Sequence, residues 1–100
     1  MSEIEELKER MIEVFKKVED PEIHIDVWTL GLIYEFNVNE NKRADIKMTF
    51  TSPMCPYGPA LVADIEDELK KVGVNEVSID IVFSPPWQPS DEVKEMLGLL

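Results

Sequence analysis

The chain of 100 residues contains one cysteine, Cys55, and one histidine, His24, so thiol or soft-metal chemistry has a single sulfur and a single imidazole to work with. Cys55 lies in Thr51-Ser52-Pro53-Met54-Cys55-Pro56-Tyr57-Gly58-Pro59, between a strand-like and a helix-like run. A thiol at a helix N-terminus feels the positive end of the helix dipole and nearby amides, which favour the thiolate, the form that attacks sulfur and binds metal. Pro53 and Pro56 stiffen this loop, and Gly58 allows close approach of backbone. Pro56 and Pro59 have no amide hydrogen, so an anion there could draw only on the amides of Tyr57, Gly58, Ala60 and Leu61. The competing reading of Cys55 is a small buried hydrophobe in a strand-to-helix corner.

Two other loops carry polar or aromatic groups of interest. Asp20-Pro21-Glu22-Ile23-His24-Ile25-Asp26 offers carboxylates and the imidazole, and Ser84-Pro85-Pro86-Trp87-Gln88-Pro89 offers a tryptophan on a rigid stem. Asp20, directly before proline, reads as a turn-forming side chain, whereas Asp26 is open between that role and a metal or partner contact. His24 reads as a solvated or hydrogen-bonded loop residue. Trp87 either plugs the end of the core or stands exposed, with Pro85 and Pro86, as an anchor for another protein. Trp28 and Tyr57 are expected to pack beneath the loops.

The elements that must position these groups follow from periodicity. Ile4, Leu7, Met11, Val14, Phe15 and Val18 recur at helical spacing, which predicts an amphipathic helix over residues 3–18, with Ser2 as N-cap and Asp20-Pro21 as the stop. Leu32, Tyr34, Phe36 and Val38 alternate with Ile33, Glu35 and Asn37, and Ile46, Met48 and Phe50 alternate with Asp45, Lys47, Thr49 and Thr51. Asn39-Glu40-Asn41-Lys42 between them reads as a hairpin turn. Leu61, Ile65, Leu69 and Val72 predict a second helix ending at Gly73. Val77, Ile79, Ile81 and Phe83 predict a third strand, and Ser90 caps a short closing helix bearing Val93, Met96 and Leu97. The expected fold is α+β: an α-β-β-α-β order with a three-stranded mixed sheet, a right-handed crossover between the second and third strands, and both helices on one face. In that topology the Cys55 loop, the Pro-Pro-Trp loop and the entry to the first strand all lie at one end of the sheet.

Composition bounds the function. One domain over residues 1–100 fits this length. A formal charge of −11, from 21 acids against 10 bases, repels nucleic acid and anionic lipid. It reads as a solubility device or as a docking surface for a basic partner. A lone cysteine forms no intrachain disulfide, the first residues lack the pattern of a secretory signal, and no apolar run is long enough to span a membrane. The expectation is a cytoplasmic protein.

Asp20-Pro21-Glu22-Ile23, Leu30-Gly31-Leu32-Ile33-Tyr34, Thr51-Ser52-Pro53-Met54-Cys55-Pro56 and Pro85-Pro86-Trp87-Gln88-Pro89, in this order, resemble the metal-sulfur cluster biosynthesis family. That family includes SufT, PaaD-like proteins and the eukaryotic cytosolic iron-sulfur targeting adaptor. The resemblance runs from Ile4 to Leu97. It implies an iron-sulfur-cluster-assembly-like fold and a role in maturing or delivering clusters, with the cysteine of Thr-Ser-Pro-x-Cys-Pro, here Cys55, as signature residue. Ser84 and Thr29 depart from the pattern, standing where many relatives carry an acid before Pro-Pro-Trp and before Leu-Gly-Leu.

A permanent cluster usually takes four protein ligands, mostly thiolates, and one chain cannot supply them. A cluster held transiently at Cys55 is therefore expected, completed by Asp26, by an external thiol, or by a second copy in a homodimer. The leading expectation is a non-enzymatic factor that takes clusters from an assembly scaffold or carrier and relays them to apo-proteins, without nucleic acid or membrane. The rivals are an adaptor that recruits a maturation enzyme through Trp87, and a PaaD-like accessory factor for an aromatic-ring-degrading oxygenase. A thiol enzyme is disfavoured, because no second cysteine is available to resolve an intermediate.

Overall fold

The computed structural model describes residues 3–21, 23–51 and 57–98. Its elements run α1 (Glu3–Phe15), β1 (Ile33–Val38), β2 (Arg43–Met48), α2 (Gly58–Lys71), β3 (Glu76–Ile81) and α3 (Asp91–Met96). The strands form one sheet in the order β1-β2-β3, with β1 antiparallel and β3 parallel to β2. This is the mixed three-stranded sheet that the period-2 runs predict.

Alternation on the central strand decides which face is covered. Ala44, Ile46 and Met48 are buried, while Arg43, Asp45 and Lys47 between them are exposed. The buried row joins Leu7 and Met11 of α1 and Leu61, Ile65 and Leu69 of α2 in one apolar cluster, so both helices sit on the same face. The other face carries cross-strand pairs such as Lys47 Nζ to Glu35 Oε2 at 3.6 Å and Arg43 to Glu76 at 3.7 Å. These exposed pairs add little stability and mark the solvated side.

The helix predicted to reach residue 18 ends at Phe15. Competition for the backbone explains the difference. Val18 N still donates to Val14 O, but Val27 N donates to Val18 O and Asp20 N to Ile25 O, and this short antiparallel bridge, with Glu19 opposite Asp26, takes the chain out of the helical ladder from there on. The proposed cap at Ser2 lies outside the described residues.

On β1 the expected row Leu32, Tyr34, Phe36, Val38 holds only in part. Phe36 and Val38 lie opposite Ile46 and Ala44, but the register then slips: Ile33 pairs with Met48 and Glu35 with Lys47, leaving Tyr34 as the extra residue of a β-bulge. Phe83 departs from the prediction as well, since β3 ends at Ile81 and the Phe83 ring is exposed. The hairpin turn brings Lys42 to φ 60°, with Asn39 N donating to Arg43 O. Gly73, at φ 115°, follows α2, and Ser90 Oγ accepts from Val93 N at the start of α3, both as the sequence predicts.

Candidate functional site

The register places one end of the sheet where the sequence places its loops. Ile33, Met48 and Ile81 lie side by side, so β1 begins where β2 and β3 end. The segment after β2 and the segment after β3 therefore leave from the same edge, beside the entry to β1. In chain order Cys55 falls between Met48, the last residue of β2, and Gly58, the first of α2. Ser52, Pro53, Cys55 and Pro56 lie outside the described residues, and the site is built from what surrounds them: Phe50 and Thr51 before, Tyr57 and Gly58 after.

Phe50 ties these flanks together. A Cβ at Gly58 would sit 2.7 Å from the Phe50 ring, so the start of α2 packs directly on that ring. The ring also meets Phe83 with centroids 6.4 Å apart, linking the exits of β2 and β3. Tyr57 was expected to pack beneath the loops and is instead exposed at 46%. Phe50 already fills the space against α2, and Tyr57, at the N-cap position, turns outward. Tyr57 makes no side-chain cap hydrogen bond, and α2 has no acid in its first turn.

The contact at Gly58 is testable. Gly58→Ala is expected to cost about 1–3 kcal/mol by forcing the ring aside, read from the urea midpoint. In a Phe50→Leu background the same change should cost much less, because the shorter side chain leaves room.

The Pro-Pro-Trp loop is fastened across the sheet end by two long-range bonds. Trp87 Nε1 donates to Leu30 O at 2.7 Å, and Tyr34 Oη donates to Pro85 O at 2.8 Å. Trp87 is half-buried against the core. Its indole thus closes the end of the core, the first of the two roles left open for it, while Pro85 and Pro86 remain exposed. The bulge explains Tyr34: as the extra residue it leaves the pairing row, and its hydroxyl reaches the loop. Nothing in the local sequence around Tyr34 or Phe50 signals these contacts, which join residues far apart in the chain.

The acidic loop places its groups differently from one another. Asp26 Oδ2 accepts from Thr29 N at 2.9 Å, a turn-forming bond that engages one carboxylate oxygen, and Asp26 O accepts from Leu30 N. Asp26 is thereby one turn from the carbonyl that holds Trp87. Asp20 is buried at 2% exposure, and among the described residues no buried polar side-chain atom lacks a hydrogen-bond partner. His24 projects into solvent with φ 56°, its Nδ1 3.9 Å from Glu19 Oε1. Trp28 packs as expected, stacked on Phe15. Among the described residues no group of three or more His, Cys, Asp or Glu side chains is placed to hold a metal ion. Nor is any described helix long and apolar enough to cross a membrane. On α2, Lys71 has its pKa raised by the hydrogen bond to Glu68 and by that carboxylate's charge, an exposed surface pair remote from these loops in sequence.

The chain is thus a two-layer α+β domain in which the segment carrying the single thiol follows β2 and the pinned Pro-Pro-Trp loop follows β3, both at one sheet end. The chain belongs to the iron-sulfur cluster assembly protein family, whose model matches residues 8–81. It is 34% identical over 103 residues to an Fe-S protein maturation auxiliary factor of Porphyromonas gingivalis, covering 99% of this chain and 98% of that one. It is 36% identical to the Fe-S protein maturation auxiliary factor YitW of Bacillus subtilis, covering 83% and 82%. A crystal structure of a domain of unknown function from Bacillus anthracis superposes with a TM-score of 0.84 at 34% identity, over 96% of this chain and 95% of that one. A 29% identical stretch, 74% of this chain, makes up 21% of an iron-sulfur cluster carrier protein of Deinococcus radiodurans.

Proposed function

We propose that this protein relays iron-sulfur clusters from an assembly scaffold or carrier to apo-proteins, with Cys55 as the transient ligand. The cluster is cargo. The observation that carries the reading is that the segments following β2 and β3, the first of which contains the chain's only thiol, leave from one end of the sheet in a domain of the cluster-assembly family. The matched region includes Cys55, and the relatives' names, maturation auxiliary factor and cluster carrier, support the same role.

One thiolate suits relay better than storage. When Cys55 binds a cluster iron, one iron-thiolate bond forms as the donor's thiolate leaves, and the acceptor's cysteine later displaces Cys55 in the same way. No electron is transferred, and each released thiolate recovers its proton from water. A single protein ligand leaves the remaining iron positions to thiolates of the donor or acceptor, so the cargo is never trapped. This exchange needs no catalytic base, which accords with the solvent-facing His24, and a non-enzymatic role follows. It also needs a reduced thiol, hence a reducing compartment such as the cytoplasm.

The test is transfer of a reconstituted [4Fe–4S] cluster to an apo-enzyme that requires it, comparing the parent chain with Cys55→Ser. The serine variant should lower the transfer rate to that of the donor alone while keeping the parent's melting temperature. Equal rates would reject the thiol's part in the relay.

A further inference from the structure

The three longest uncharged runs of this sequence are Val27–Tyr34, Met48–Ala63 and Ile81–Ser90, in a chain of which 31% is charged. Their described parts come together at one end of the sheet. They contain the entry to β1, the exit of β2 and the exit of β3, which the register sets side by side at one end of the sheet. The domain is therefore a strongly acidic body with one neutral pole. Of the three large apolar side chains exposed among the described residues, Tyr57 at 46% and Phe83 at 47% belong to these runs. Phe83 lies against Phe50, Phe50 packs on Gly58 beside Tyr57, and Tyr34 holds Pro85, so Tyr57 and Phe83 flank the same Phe50 ring at this pole. The stem beneath it is fixed by the Trp87 bond to Leu30.

Charge depletion combined with exposed aromatic residues is the compositional mark of the buried centre of a protein-protein interface, not of ordinary surface. The first charges met on leaving the three runs are Asp26, Glu35, Lys47, Asp64, Asp80 and Asp91. Glu35 pairs with Lys47 at 3.6 Å, and Lys17 shares a surface hollow with Asp64, so the uncompensated rim charge is negative.

We infer that this pole docks the donor of the cluster, a protein surface with an apolar centre ringed by lysine and arginine, and that Tyr57 and Phe83 are its anchors. The inference rests on the relay proposed above. A second copy of this chain is a poor occupant, because two acidic rims on bodies of charge −11 would face one another. A basic-rimmed partner is drawn in by the same field, and its affinity falls as salt screens the rim.

The probe is the full-length iron-sulfur cluster carrier from the same organism, titrated by calorimetry at 50 and 300 mM salt. Binding should weaken with salt, and Tyr57→Ser and Phe83→Ser should each reduce affinity tenfold or more with unchanged melting temperature. Asp80→Asn with Asp91→Asn should give weaker binding and a shallower salt dependence, whereas Glu40→Gln, in the turn at the other end of the sheet, should match the parent. Cys55→Ser should bind as the parent does. Its failure to relay, with normal binding by both pole variants, would uphold the relay and overturn the docking pole. Loss of binding by the pole variants, with normal relay by Cys55→Ser, would do the reverse. No binding by the parent, or self-association through Tyr57 and Phe83 in sedimentation, would also overturn the proposal.

Discussion

Phe15→Ala is expected to remove about 3–5 kcal/mol of stability, a large part of the 5–15 kcal/mol typical of a domain this size. Phe15 is fully buried at the last position of α1. Its ring stacks on Trp28 with centroids 6.0 Å apart and 1° between planes, and meets Phe36 edge-on at 5.4 Å. Trp28 and Phe36 touch in turn at 6.0 Å and 76°, so the three rings close a triangle. One corner belongs to the helix, one to the loop and one to β1. Truncating Phe15 deletes two ring contacts and leaves a cavity that Trp28 cannot fill, because its backbone N donates to Phe15 O at 3.3 Å and holds it in place. Urea unfolding should show the loss as a lower midpoint at similar slope. Phe15→Leu should cost under about 2 kcal/mol by retaining most of the volume. An alanine variant within about 1 kcal/mol of the parent would mean that this triangle is not what joins α1 to the entry of β1.

That triangle also marks how far the sequence could be read. Each ring lies in a segment whose periodicity or composition is plain: Phe15 in the helical stripe, Phe36 in the strand row, Trp28 as a large apolar residue in a loop. Element order and the β1–β2 hairpin follow from period and chain direction, and once β2 and β3 are taken as neighbours their parallel pairing and the shared sheet end follow too. What periodicity cannot carry is competition for the same backbone. The stripe through Val18 is helical in spacing, yet the Val18 carbonyl accepts from Val27 N and the Asp20 amide donates to Ile25 O instead, a choice made by contacts outside the window. The bulge at Tyr34 has the same origin: alternation continues through the sequence while the ladder slips, and a hydroxyl that reads as one more inward ring is spent on Pro85. At the site, the types and positions of Trp87, Gly58 and Asp26 are legible. Their partners Leu30, Phe50 and Thr29 are not equally so. Thr29 lies three residues from Asp26, within reach of turn rules, whereas the other two depend on the closed fold.

Trp87→Ala should cost about 2–4 kcal/mol and loosen the Pro-Pro-Trp loop, while Trp87→Phe should cost about 1–2 kcal/mol. The two substitutions separate the functions of the indole. Phenylalanine keeps most of the apolar contact with the core but has no N–H, so the carbonyl of buried Leu30 loses its 2.7 Å donor. Alanine loses both. The loop then depends on the exposed Tyr34 bond to Pro85 and on Val93, fully buried further along in α3. Hydrogen exchange should resolve the consequence in space. In Trp87→Ala, amides of residues 83–90 should exchange many times faster, while those of the β1–β2 hairpin keep their protection, because the hairpin's ladder and the core beneath it do not pass through Trp87. Uniform acceleration across both regions would mean that the loop is an integral part of the global unfolding unit rather than a separately pinned flap. Equal destabilisation by phenylalanine and alanine would assign the whole effect to the N–H bond, and a phenylalanine variant as stable as the parent would assign it to ring packing alone.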